Sequence, residues 1–173
     1  MAEPPRLPAI RLPWEKSIIY FVTICVKHRR KVLATPEVFE AIKTTIPQLQ
    51  KWHVLAAVIM PEHIPWVVSP VEDRELSVGD FSHTFKRTLR KCSGAQSWEW
   101  EPACFDRLLR SDENLWSKWI YVKDNPVRHG FVHNANDWPY YLDFINDPLN
   151  RGKLSAPPTA QERWSRMREA GIK

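Results

Sequence analysis

Glycine is scarce in this chain, five residues in 173, and no glycine-rich loop is available to cradle a nucleotide phosphate. Cysteine is scarcer still. Cys25, Cys92 and Cys104 are an odd number without a Cys-x-x-Cys pair, which argues against a zinc module and against a disulfide framework. The longest uncharged apolar stretch, Val54 to Pro61, is far shorter than the ~20 residues of a membrane-crossing helix. The opening residues Met1-Ala2-Glu3-Pro4-Pro5-Arg6 carry no basic segment followed by an apolar run, so no secretory signal is expected. A reducing, cytoplasmic setting is the resulting expectation. A serine-centred nucleophile motif is also missing, and nothing points to a dinucleotide or nucleotide cofactor.

What remains is the balance of a soluble globular domain, with 43% hydrophobic and 26% charged residues. The length fits one domain. A net charge of +5 and a pI near 9.2 make an acidic partner such as nucleic acid plausible, although global charge alone is weak evidence. The fifteen prolines gather toward the two ends. Residues 1–16 therefore read as a proline-rich extension and residues 146–173 as a second one, flanking a core domain of 17–145.

Hydrophobic spacing orders the core. Ser17 to Val26 predicts a strand with Tyr20, Val22, Ile24 and Val26 on one face and Ile19, Phe21 and Cys25 on the other. After a basic loop, Lys27-His28-Arg29-Arg30-Lys31, the run Thr35-Pro36-Glu37 announces a helix with a capping hydroxyl and proline in its first turn. Val38, Ile42, Ile46 and Leu49 form its apolar stripe, and Pro47 should kink or shorten it. Val54–Met60 and His63–Ser69 predict two further strands joined tightly through Pro61-Glu62. A helix over about 76–91 sets Val78, Phe81, Phe85 and Leu89 against His83, Lys86, Arg87, Arg90 and Lys91. A short strand near Cys104–Leu109 follows. Then comes a helix capped by Ser111-Asp112-Glu113, with Leu115, Trp116, Trp119 and Val122 as its stripe, stopping before Pro126. Strand, helix, strand, strand, helix, strand plus one helix is the pattern of an α+β, ferredoxin-like split βαβ sandwich (βαββαβ). The fold decides no function by itself.

Four features carry candidate chemistry. His63 opens a strand after a tight turn; it reads either as a hydrogen-bonded structural residue or as a metal ligand on a rigid support. The residue two places on, which shares its strand face, is Pro65 and cannot ligate. Tyr121 lies outside the apolar stripe of its helix, among Ser117, Lys118, Asp124 and Asn125. It reads as amphipathic surface or as a phenolic nucleophile with Lys118 or Asn125 one turn away. Lys27, Arg29 and Arg30 of the loop, with Lys86, Arg87, Arg90 and Lys91 of the second helix, form two basic clusters, solvated faces or phosphate contacts. Asn125-Pro126-Val127-Arg128-His129-Gly130 reads as a helix end and glycine bend.

Several segments, in order, resemble the landmarks of a known family. They are Tyr20-Phe21-Val22-Thr23, Met60-Pro61-Glu62-His63-Ile64, Cys104-Phe105-Asp106-Arg107 and Tyr121 through Gly130, closed by Asp137-Trp138-Pro139-Tyr140. The family is the REP-associated tyrosine transposases, within the single-tyrosine branch of the HUH endonucleases. The likeness runs from about residue 17 to residue 143. It implies a protein that binds single-stranded DNA beside a palindromic hairpin and cuts one strand through a 5′-phosphotyrosine intermediate. A divalent ion, Mg²⁺ or Mn²⁺, would be held by a His-hydrophobic-His pair. By the same resemblance Tyr121 stands at the nucleophile, His63 at the first metal-binding histidine, and the basic clusters become hairpin contacts. Monomer and homodimer are both compatible with it, and no membrane partner is expected.

The chain departs from the pattern at Pro65, where the family has its second histidine. A single remaining imidazole would hold the ion weakly; Glu62 could add an oxygen ligand, but as a neighbour of His63 it would turn to the other sheet face if the strand already includes it. Phe105 stands where the family often has tyrosine, and Glu101 where glutamine is expected. Two readings follow from the resemblance: a metal-dependent tyrosine endonuclease and strand transferase, or a DNA-hairpin-binding relic that has lost cleavage. A structural domain without a DNA role is the third.

Overall fold

The computed structural model describes residues 18–71, 75–94, 96–109 and 112–144. The two expected extensions and the predicted Ser111 cap lie outside them, as do the side chains of Leu115 and Trp116. Strands β1 (Ile19–Cys25), β2 (Trp52–Val58), β3 (His63–Pro70), β4 (Phe105–Leu109) and β5 (Tyr141–Asp143) form one antiparallel sheet in the order β4-β1-β3-β2-β5. Helices α1 (Pro36–Thr45), α2 (Val78–Ser93), α3 (Asp112–Lys123) and the single turn α4 (Asn125–Arg128) complete it. Without β5, the order 4-1-3-2 is the ferredoxin-like arrangement that the element pattern predicts.

The alternation of β1 divides the core in two. Tyr20, Val22 and Ile24, with Ile64, Trp66 and Val68 of β3, face α1 and α2 and meet Ile42, Phe81, Phe85 and Leu89. Ile19 and Val67, with Leu55, Val58 and Met60, face the opposite way and are covered by Trp119 and Val122 of α3 and by Trp138. Each large side chain so buried contributes roughly 1.5–3 kcal/mol. The centre of the first cluster is aromatic: the Trp66 and Phe85 rings meet edge-on at 4.7 Å.

Local chemistry fixes the helix ends. The Thr35 hydroxyl accepts the Val38 N–H at 3.3 Å, with Pro36 in the first turn, as its sequence predicts. Pro47 ends α1 at Thr45 and turns residues 46–48 into a tighter 3₁₀ turn. Ser77 and Asp80 form a reciprocal capping box, which starts α2 at Val78, two residues later than periodicity suggests.

Further boundaries also differ from the expectation. β2 begins at Trp52 and stops at Val58, because Ile59 and Met60 donate elsewhere, to Tyr140 and to the His63 carbonyl, as the chain turns. The break after α3 falls at Asp124, not at Pro126. Proline lacks the N–H that a first helical turn does not use, so Pro126 opens α4 instead of ending α3. α4 then closes on Gly130 at φ 74, with Phe131 N–H on the Pro126 carbonyl and Gly130 N–H on Val127, the expected glycine bend.

Pro65 is also accommodated without breaking the sheet. The His63 carbonyl accepts from Met60 on the β2 side, and backbone groups alternate sides along a strand, so the Pro65 nitrogen faces β2 as well. The β2–β3 register ends at Ala57–Trp66, one residue short of Pro65. The missing donor therefore interrupts the ladder near its open end, beyond which Met60 still donates to the His63 carbonyl, while the β1 side remains in register through Thr23–Pro65.

Candidate functional site

Tyr121 sits on the last turn of α3. Trp119 and Val122 point into the sheet, so the helical period turns Tyr121 outward and leaves it 40% exposed. Its ring packs edge-on against Phe21 of β1 at 6.2 Å. Two cations lie on that aromatic pair. The Lys118 ammonium is 5.2 Å from both the Phe21 and the Tyr121 ring centres, and the Arg128 guanidinium is 4.3 Å from the Tyr121 centre. Lys118 is held below its ordinary pKa by partial burial, then by the positive charges of Arg107 and Arg128.

His63 lies on the same side of the sheet. It is buried, and its Nδ1 is 3.1 Å from Oε1 of Glu62. β3 begins only at His63, so Glu62 precedes the pleat and keeps its carboxylate against the imidazole instead of turning to the opposite face. Burial lowers the pKa of His63, Glu62 partly restores it, and Arg29 and His129 lower it again. The His129 ring from the end of α4 stands 5.9 Å from the His63 ring, centre to centre.

The fit to a divalent ion can be judged from these side chains. Pro65 supplies no ligand on the strand face it shares with His63. One nitrogen of His63 is taken up by Glu62. Among the described residues no three His, Cys, Asp or Glu groups are arranged to hold a metal. The ligand set implied by the resemblance is not assembled.

The α2 cluster lies across the sheet from Tyr121 and meets the loop cluster near Glu99, whereas Arg29 of the loop is close enough to His63 to act on its charge. Lys27 pairs with Glu99 at 2.9 Å, and that carboxylate also feels Arg90. Arg30 donates to the Ser97 carbonyl at 2.9 Å. Lys86 is partly withdrawn from solvent: its ammonium donates to the Glu101 carbonyl at 2.7 Å. Arg87, Arg90 and Lys91 remain exposed. His28 and Arg29 both adopt positive φ, 57 and 52, a conformation costing non-glycine residues roughly 1–2 kcal/mol each.

Sequence reading alone does not gather Arg107, Arg128 and His129 into the site. Arg128 follows Tyr121 by seven residues, a two-turn spacing hidden by the break at Asp124. Arg107 enters only through strand pairing, as the residue opposite Phe21.

No family model matches the chain. Two curated proteins do. A protein of Haemophilus influenzae named as a REP-associated tyrosine transposase is 28% identical over 145 residues, covering 75% of this chain and 82% of its own length. The REP-associated tyrosine transposase of Escherichia coli K12 is 24% identical over 128 residues, covering 70% of this chain and 73% of its own. In fold, the chain is similar to a solved REP-associated tyrosine transposase bound to a REP hairpin, with a TM-score of 0.64 at 24% identity over 84% of this chain and 87% of the other. Motif order and sequence therefore relate the chain to proteins named REP-associated tyrosine transposases, and its fold is similar to that of a solved one.

Proposed function

We propose that the protein is a transposase-like DNA-hairpin-binding protein whose Tyr121 cleaves and rejoins one strand beside the hairpin. The observation that carries the reading is the half-exposed Tyr121 ring set between the Lys118 and Arg128 cations. A tyrosine so placed meets a phosphodiester with positive charge already in position, at no cost of reorganisation.

The phenolic oxygen of Tyr121 attacks phosphorus, and the bond from phosphorus to the 3′ oxygen breaks. The phenolic proton passes to solvent and the departing oxygen takes one up, leaving a 5′-phosphotyrosine and a free 3′-hydroxyl. Attack by a 3′-hydroxyl reverses the step, so the bond energy is retained for rejoining. Lys118 and Arg128 offset charge on the non-bridging oxygens. Because the described ligands do not fit a divalent ion, no step is routed through one.

Pro65 favours a second reading, in which hairpin binding survives and cleavage does not. Incubation with hairpin DNA carrying single-stranded flanks, with and without Mn²⁺, followed by intact-protein mass spectrometry, separates the two. A covalent adduct absent from Tyr121→Phe supports cleavage; hairpin binding without an adduct supports the second reading; no hairpin binding overturns both.

A further inference from the structure

The basic loop after β1 is bonded onto the turn that carries His63. Val26 N–H donates to the Glu62 carbonyl at 2.9 Å, and the N–H groups of Val32 and Leu33 both donate to the Pro61 carbonyl, at 2.8 and 2.9 Å. His28 N–H donates to the Glu101 carboxylate at 3.2 Å. The loop is thus held at both ends, and between them Arg29 takes a φ of 52, a region that an arginine rarely adopts. Strain of this kind persists only where the surroundings impose it, and it gathers at functional sites.

The strained residue serves the His63 corner. Arg29 is exposed, and it acts electrostatically on both His63 and Cys25, the residue opposite His63 on β1. No carboxylate among the described residues forms an ion pair with it. Glu62 Oε2, buried and without a hydrogen-bond partner, adds negative charge that draws a cation toward this turn. The corner also adjoins the nucleophile, because Arg128 lies on the Tyr121 ring and the next residue, His129, stands 5.9 Å from the His63 ring. A divalent ion lacks its ligands here, with Pro65 in the second position and Nδ1 of His63 taken by Glu62. A guanidinium needs no ligand set, stays protonated at any working pH, and its fork matches two oxygens of a phosphate.

We propose that Arg29 takes the place of the divalent ion: its guanidinium donates to the non-bridging oxygens of the phosphate that Tyr121 attacks, and this chain cleaves DNA without a metal. The proposal deepens the cleavage reading above and rests on it. The bonds made and broken are those already written for Tyr121; Arg29 keeps its proton throughout and offsets charge that builds on phosphorus. It also separates Arg29 from Lys27 and Arg30, whose side chains are held by Glu99 and the Ser97 carbonyl.

The test uses the full chain and a hairpin with a single-stranded flank, in EDTA and in Mn²⁺. The parent forms the Tyr121 adduct at the same rate in both. Arg29→Gln slows it by about 100- to 1,000-fold in EDTA, the effect of removing one donor to the transition state, and added methylguanidinium restores part of the rate. Arg29→Gly keeps the backbone conformation without strain, so it holds the parent's melting temperature and loses the rate as Arg29→Gln does. A second arm reads binding alone. A methylphosphonate, which removes one phosphate charge, is moved along the flank. At one position it weakens binding to Tyr121→Phe by about 10-fold or more, and it has no such effect once Arg29→Gln is added. An adduct formed only in Mn²⁺, full activity of Arg29→Gln in EDTA, or a flank without such a position overturns the proposal and leaves the cleavage reading standing. A parent that forms no adduct in either condition overturns the cleavage reading and the proposal with it.

Discussion

Nδ1 of His63 lies 3.1 Å from the Glu62 carboxylate at the mouth of the β2–β3 turn. The contact holds the imidazole in one orientation, yet burial still wins and leaves His63 below its ordinary value of 6.5. A buried base with a lowered pKa binds fewer protons folded than unfolded. Its contribution is therefore absent above the unfolded value, and stability falls as pH drops through 6.5 toward the folded value. Thermal melts between pH 7.5 and 5 should show this loss, with a slope of at most about 1.4 kcal/mol per pH unit for the one proton. His63→Asn should flatten that part of the profile. In Glu62→Gln, NMR titration of the His63 ring should give a pKa lower still, since the carboxylate is what raises it. A pKa that rises would mean the carboxylate does not act on this ring.

Pro65 faces Thr23 on β1 and shares the strand face of His63. Because proline donates nothing on its β2 side and the pairing resumes at Met60–His63, replacing it restores a donor without displacing a partner. Pro65→His should therefore fold, with its imidazole on the face of the first. Mn²⁺ affinity, measured by calorimetry or by the loss of free-ion signal in electron paramagnetic resonance, should rise at least about 10-fold, the lower end of what one interaction at a metal site typically contributes. Equal affinity in parent and variant would mean that Pro65 is not what separates this chain from the two-histidine arrangement.

The Ser77 hydroxyl accepts the Asp80 N–H at 3.2 Å, while Asp80 accepts the Ser77 N–H at 2.8 Å. α2 depends on this box for its first turn, and α2 carries the Phe81 and Phe85 side of the core. Ser77→Ala should lower unfolding free energy by about 1 kcal/mol in urea titration. Phe85→Ala should cost about 3–5 kcal/mol, because it leaves a cavity beneath Trp66. A cap variant as damaging as the core variant would mean that α2 is held from its end and not from its face.

The fold was legible where local rules act alone. The alternation of Tyr20, Val22 and Ile24, the Thr35 cap and the stripe from Val78 to Leu89 all carry their structural meaning within one turn or pleat. The candidate site was legible as far as Tyr121 and His63, which short motifs mark. It was not legible where the chain must meet itself. Arg107 becomes a neighbour of Tyr121 only after β4 has paired with β1, and no periodicity announces which edge a five-residue strand will choose. His129 approaches His63 because Pro126 starts a turn instead of stopping one, and proline chemistry permits either outcome.

Lys86 shows how a basic helical face divides once it is folded. Charge spacing groups it with Arg87, Arg90 and Lys91, but its ammonium is committed to the Glu101 carbonyl at 2.7 Å and is partly withdrawn from solvent. Neutralising it should therefore act on stability and not on DNA. Lys86→Gln should lower unfolding free energy by about 1 kcal/mol, the loss of one hydrogen bond to a half-buried carbonyl, and leave the salt slope of hairpin binding unchanged. The triple variant Arg87→Gln, Arg90→Gln, Lys91→Gln should do the reverse. Its melting temperature should stay near that of the parent, while its log–log salt slope falls by up to about 0.9 for each duplex phosphate that is no longer neutralised. Fluorescence anisotropy across a salt series, paired with thermal melts, reads both quantities on the same samples. A salt slope that drops with Lys86→Gln and holds in the triple variant would move the hairpin-binding surface off the exposed face of α2.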